Sequence, residues 1–246
     1  MFLRPLPLLM LAALANGCAE AQDQRETPSY TYGTIGRAGR VSDGIGKFYM
    51  GREIAATMSA VHAEWLDRPE REQEERPVKL VDQMDIQPTD AVADIGCGTG
   101  HHSLLIAAKA QRGKVYAVDI QRAMLDSVFV RSTALGLANV DPVLGTEQSP
   151  GLRANSVDKV LMVDVYHELA YPKEMMRAVR IAMRTDALLY LVEFRGEDDQ
   201  VPIKRIHRMT REQAVREMES HGFDLQRSWE GLPWQHLLVF RKRAVR

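Results

Sequence analysis

The chain has 246 residues, 45% hydrophobic and 26% charged, with a formal net charge of −1. This is ordinary globular composition, enough for one sizeable α/β core, and the balanced charge argues against a nucleic-acid or anionic-membrane partner. With only two cysteines, Cys18 and Cys97, a disulfide framework and a cysteine-based metal cluster are both excluded.

The chain opens MFLRPLPLLMLAALANGCAEAQ. Arg4 precedes an apolar run over residues 6–15, too short to span a hydrocarbon layer of about 30 Å. Ala19-Glu20-Ala21 fits a small-x-small cleavage site. Residues 1–21 therefore read as an export signal, with the mature chain starting at Gln22 in the periplasm and no membrane span. One alternative is lipoprotein processing, with a lipid anchor at Cys18; the other is a cytoplasmic enzyme with a misassigned start. Residues 22–46 are polar and glycine-dotted and read as a flexible arm. Residues 47–88 read as an N-terminal helical cap, because Ile54, Met58, Val61 and Trp65 recur at helical spacing. The charged run DRPEREQEERP reads as a solvated helix face. Within GIGKFYMGREIA, Phe48, Tyr49 and Arg52 form either a lid over a site or packing on a sheet edge.

From Ala91 short apolar runs alternate with helical stretches. AVADIG, KVYAVDI, VDPVLGT, VDKVLMVD and ALLYLVEF are strand candidates. Helices are predicted over 101–111, 121–136 (stopped by Gly136) and 172–185. A further helix opens on the capping pair Thr210 and Gln213 and closes at Gly222. FDLQRSWEGL and QHLLVFRK then form an antiparallel pair. Near-continuous apolar strands alternating with helices predict an α/β fold, a doubly wound and mostly parallel sheet covered on both faces, over residues 89–246.

The chemistry concentrates at VADIGCGTG, residues 92–100. Strand, glycine turn and helix follow one another where such sheets bind ligands. A dinucleotide fingerprint would be G-x-G-x-x-G, but His101 occupies the third glycine position. Asp94, two residues before the first glycine, would repel a pyrophosphate and suit a cationic group. Asp119 ends the next strand about twenty residues on, where an acid can accept from both ribose hydroxyls. A nucleoside with a positive end and no phosphate describes S-adenosylmethionine.

Asp94-Ile95-Gly96-Cys97-Gly98-Thr99-Gly100 resembles the D/E-x-G-x-G-x-G loop of class I S-adenosylmethionine-dependent methyltransferases. Residues 115–120 resemble their second motif and residues 157–169 their fourth-strand motif, so the likeness covers roughly residues 75 to 240. It implies a Rossmann-like seven-stranded sheet whose last strand is antiparallel, beside the N-terminal helical addition. It implies S-adenosyl-L-methionine as cofactor, contacted by Asp94, Gly96, Gly98, Gly100, Asp119, Ile120 and Asp164. An acid facing the adenine is expected at Thr146; Glu147, one place later, is carried over instead.

In DVYHEL, residues 164–169, Tyr166, His167 and Glu168 fall near the expected methyl group. His167 is the candidate catalytic base, because histidine titrates near neutrality. No metal site is expected. His167-Glu168 lacks the second histidine of a zincin motif, and Asp164, Glu193 and His207 gather only if the loop after the fifth strand folds in. That loop, residues 195–209, carries Lys204, Arg205, His207 and Arg208, which either bind an anionic substrate group or form an exposed basic turn. His101 and His102 read as solvent-facing. With no binding module attached, the expected partner is a small-molecule substrate; the rival is an exported S-adenosylmethionine-binding protein that transfers nothing.

Overall fold

A computed structural model describes residues 30–32 and 43–244. The export signal, its cleavage site, Cys18 and most of the 22–46 arm lie outside the described residues.

Seven strands form the central sheet: β4 (Ala91–Ile95), β5 (Lys114–Asp119), β6 (Val140–Leu144), β7 (Val157–Val163), β8 (Met183–Phe194), β9 (Phe223–Trp229) and β10 (Gln235–Lys242). Their order is β6-β5-β4-β7-β8-β10-β9. Strands β4 to β8 pair in parallel. Strand β10, the last in the chain, inserts antiparallel between β8 and β9.

Side-chain alternation along the central strands explains the double winding. Ala93 and Ile95 of β4, with Val160 and Met162 of β7, join one core. Helices α5 (Pro172–Ala182) and α6 (Arg211–Ser220) cover it through Met175, Met176, Val179 and Met218. The intervening Val92 and Leu161 face the opposite core. There α3 (His101–Lys109) and α4 (Arg122–Ala134) pack through Ile106, Ala107, Leu125 and Val128. The cap signals fall where the sequence places them. The Thr210 side chain accepts from the Gln213 backbone N–H at 3.1 Å, and Gly136 follows α4 at φ +68.

The N-terminal addition differs from the helical expectation in its first third. Residues 47–55 are not helical: β2 (Gly44–Tyr49) and β3 (Arg52–Ala55) form a hairpin, to which β1 (Tyr30–Tyr32) adds a third strand. The 22–46 arm therefore contributes β1 and the start of β2. The cause is the Met50-Gly51 turn, where φ is +47 and +92. Two consecutive positive φ values suit a tight hairpin and break a helix. The apparent helical spacing was accidental, since Ile54 is a buried strand residue and Val61 is 83% exposed. Beyond the hairpin the addition is helical: a 3-10 segment (Ala60–Asp67), α1 (Arg71–Glu74) and α2 (Pro77–Gln83).

Tyr49 and Arg52 hold this hairpin to the domain rather than closing over a ligand. Tyr49 is fully buried and stacks on His221, with ring centroids 5.7 Å apart. Arg52 Nε donates to Glu217 Oε1 at 2.8 Å, and its Nη1 donates to the His167 carbonyl at 3.0 Å. Glu217 is fully buried and also accepts from the Tyr166 hydroxyl at 2.8 Å. Burial works against the Arg52 charge, but Glu217 more than offsets it and holds the guanidinium above its ordinary pKa. Arg52→Met should cost about 3–5 kcal/mol, the usual result of leaving one buried charge without its partner. Urea unfolding measures this, and a loss below about 1 kcal/mol would show that Glu217 is satisfied without Arg52.

Candidate active site

Strand order reverses between β4 and β7: the chain leaves β4 for β5 on one side and returns to β7 on the other. The crevice at their carboxyl ends is where such sheets bind ligands. A cavity of about 690 Å³ opens there, within the usual range for small-molecule sites.

The glycine turn forms one wall. Gly96 and Cys97 donate their backbone N–H groups to the Val118 carbonyl at 2.8 and 3.0 Å, tucking the loop against β5. Gly96 and Gly98 line the cavity. At Gly98 (φ +52) an added Cβ would lie 2.6 Å from Leu66 Cδ1. Leu66 belongs to the 3-10 segment and lines the cavity with Ser59, His62 and Trp65. That segment, not GIGKFYMGREIA, is the cover over the site. Gln121 staples it down: its Oε1 accepts from Ala60 N at 2.8 Å and its Nε2 donates to the Met58 carbonyl at 2.9 Å.

Asp119 sits on the cavity wall and accepts from Gly98 N at 3.0 Å and Gln121 N at 2.8 Å. Burial raises its pKa and these backbone donors oppose the shift. Ile120 lines the wall next to it, and Thr146 and Glu147 both line the cavity, each with an exposed side chain. Asp164, at φ +52, also faces the cavity. Its Oδ2 accepts from Gln235 Nε2 at 2.7 Å, whereas Oδ1 is buried and has no hydrogen-bond partner.

Two expected contacts fall behind this wall. Asp94 accepts from Ser103 Oγ at 2.6 Å, and burial pushes its pKa up to about 6. It does not line the cavity, nor does Gly100, where a Cβ would meet Val128 of α4 at 2.9 Å. Both support the loop from the protein side. His102 is also buried, not solvent-facing, and burial holds its imidazole well below the ordinary pKa.

The DVYHEL segment runs on from this wall: Val165 packs beside Gly96, and His167 and Glu168, in a 3-10 turn over Tyr166–Glu168, also line the cavity. His167 is 2% exposed. Its Nδ1 lies 2.6 Å from Glu193 Oε2, and Glu193 Oε1 accepts from Tyr166 N at 3.0 Å and His167 N at 3.3 Å. A carboxylate on Nδ1 keeps the proton there, so Nε2 is the accepting nitrogen of a hydrogen bond with His207. That Nε2 lies 3.1 Å from His207 Nδ1. The loop after the fifth sheet strand has therefore folded in, with Pro202, Ile203, Lys204 and His207 lining the cavity. Burial lowers the His207 pKa to about 4 and raises that of Glu168 to about 7. Of the basic residues in the loop, Lys204 pairs with Asp43 at 2.9 Å and Arg208 donates to the Asp198 carbonyl at 2.8 Å. Glu193 as the partner of His167 was missed in the sequence; the one signal was an acid at the end of an otherwise apolar strand, VEF.

Residues 92–186 match the family model of a methyltransferase domain. An aklanonic acid methyltransferase of Streptomyces sp. (strain C5) is 32% identical over 84 residues, 34% of this chain and 38% of that protein. An (S)-coclaurine N-methyltransferase of Thalictrum flavum subsp. glaucum is 26% identical over 109 residues, 43% of this chain and 29% of that protein. The matched stretches thus span less than half the length of these curated relatives. In fold, the chain is similar to a SAM-dependent methyltransferase structure from Aquifex aeolicus: TM-score 0.71 and 22% identity, covering 75% of this chain and 98% of the other. Domain match and fold together imply S-adenosylmethionine as the cofactor.

The cavity residues fit that molecule. Asp119 has lone pairs left for ribose hydroxyls, the glycine wall admits close backbone approach, and the unpartnered Asp164 Oδ1 suits an ammonium group. A hydrogen bond to a charged group contributes roughly 1.5–3 kcal/mol. Asp119→Ala should therefore weaken S-adenosylmethionine binding about tenfold or more in a calorimetric titration; a folded variant of unchanged affinity would remove Asp119 from the ribose site.

Proposed function

We propose that the chain transfers a methyl group from S-adenosylmethionine to a small-molecule nucleophile by in-line displacement. The observation that carries this reading is the buried Glu193–His167 pair, which opens onto the same cavity as the glycine turn and Asp119. Bound there, S-adenosylmethionine supplies a methyl group on a cationic sulfur that departs as a neutral thioether, so the departing side needs no acid.

The chain then has three tasks: to position, to exclude water and to accept a proton. Leu66, Trp65 and the Gln121 staple keep the cover in place. Glu193 holds His167 with Nε2 beside His207 at the cavity; a nucleophile that displaces His207 from Nε2 can give its hydroxyl or ammonium proton there. No helix among the described residues is long and apolar enough to cross a membrane. Arg4, the apolar run over 6–15 and the Ala-Glu-Ala site support export to the periplasm with cleavage before Gln22; a mature chain that sequences from Met1 would end the export reading.

The direct test is incubation of the protein with isotopically labelled S-adenosylmethionine and cell extract. Labelled product and the demethylated cofactor should both form. Tight cofactor binding with no product from any extract would favour a binding protein. His167→Ala should lower turnover by about 10²-fold or more with little change in cofactor affinity. Loss of cofactor binding with normal turnover at saturation would make His167 a cofactor contact.

A further inference from the structure

We propose that His167, Glu168 and His207 hold one divalent transition-metal ion at the acceptor end of the cavity. Binding of the ion rests on geometry alone; its part in catalysis rests on the transferase reading above.

The ligand atoms are already assembled. His167 Nε2 and His207 Nδ1 lie 3.1 Å apart, and Glu168 Oε1 lies 3.9 Å from the first and 3.7 Å from the second. The two ring nitrogens share a hydrogen bond that an ion would replace; the carboxylate oxygen is too far from either ring for one, and all three atoms lie close enough together to ligate one ion. A point equidistant from atoms at these separations lies about 2.1 Å from each, matching metal–imidazole and metal–carboxylate bonds of roughly 2.0–2.2 Å. Two imidazoles and one carboxylate suit zinc, iron and their neighbours better than magnesium or calcium. All three side chains line the cavity, so one side of the ion would stay open to it.

The surroundings orient these ligands as metal sites require. Glu193 accepts a hydrogen bond from His167 Nδ1 and so leaves Nε2 as the nitrogen available to an ion. The other oxygen of Glu168, Oε2, accepts from Met58 N at 3.2 Å, which turns Oε1 toward the histidines. His207 is delivered by a 3-10 turn (Arg205–His207) in the folded-in loop.

An ion there changes how the nucleophile is activated. A hydroxyl coordinated at the open position loses its proton to solvent because the cation stabilises the resulting oxyanion. The oxygen then forms its bond to the methyl carbon while the electron pair of the carbon–sulfur bond returns to sulfur. His167 acts as ligand in the loaded protein and as base without the ion. The substrate class this favours is an oxygen acid such as a phenol or enol.

Chelator-treated, untagged protein should be titrated with Co²⁺, followed by visible absorption, and with Zn²⁺, followed by calorimetry. We expect one equivalent per chain. His207→Ala and Glu168→Gln should each weaken binding by about 100-fold or more, and Glu193→Gln by about 10–100-fold. Zinc-edge X-ray absorption of the unaltered protein should show two imidazoles, and it decides the matter should a variant fail to fold. Absence of binding, or one equivalent of unchanged affinity in both His207→Ala and Glu168→Gln, overturns the site. Product formation is measured separately: metal binding without transfer keeps the site and sinks the transferase reading, whereas full transfer by chelated protein that binds no metal does the reverse.

Discussion

The buried Arg52–Glu217 pair is the contact on which the geometry of the site depends. Arg52 comes from the N-terminal hairpin and Glu217 from α6, and neither touches the cavity. Between them they grip the turn after β7: Glu217 accepts from the Tyr166 hydroxyl and Arg52 donates to the His167 carbonyl. Glu193 holds the same turn from the end of β8 through two backbone N–H groups and the His167 ring. A three-residue segment that a sequence reader would treat as a loop is thus over-determined by partners from three distant parts of the chain. Its rigidity is what gives a histidine lone pair a fixed direction, and direction matters more than reactivity in a displacement at carbon.

The sheet was legible because its physics is local. Strands buried on both faces must be apolar throughout, glycine must follow β4, and the caps at Thr210 and Gly136 are short-range signals. Asp119 was legible for the same reason, as an acid at a strand end at a known distance from a glycine turn. The hairpin was not, because Ile54 and Met58 mimic helical spacing and nothing short of the backbone shows that Met50 takes a positive φ. Asp94 reads as a ligand contact from its motif, and in the fold one of its oxygens accepts from Ser103 behind the glycine turn. A motif reports which side chains keep a loop in shape as well as which ones touch what the loop holds.

The acceptor end was the least legible. His167 and Glu168 are adjacent in the chain, but His207 lies 40 positions from His167 and reaches it only because the loop after β8 folds across the cavity. Strand alternation and cap chemistry say nothing about where such a loop goes. Its course is set by tertiary contacts, among them the short parallel bridge of Arg195 with Met209 and the Arg195 guanidinium donating to the Pro233 carbonyl at 2.6 Å. A basic, glycine-poor loop could as well have pointed outward.

The packing of Leu66 over Gly98 reaches beyond the closed shape of the cavity. The space above that glycine is occupied by the cover, not only by whatever the loop binds. A larger residue at position 98 would press first on a side chain thirty-two places earlier. The two positions therefore share one allowance of volume. In diverging relatives they should change together, a bulkier loop residue appearing where the cover carries a smaller one, so that kinship in how the cavity is roofed can be traced through a pair of columns lying outside each other's local motif.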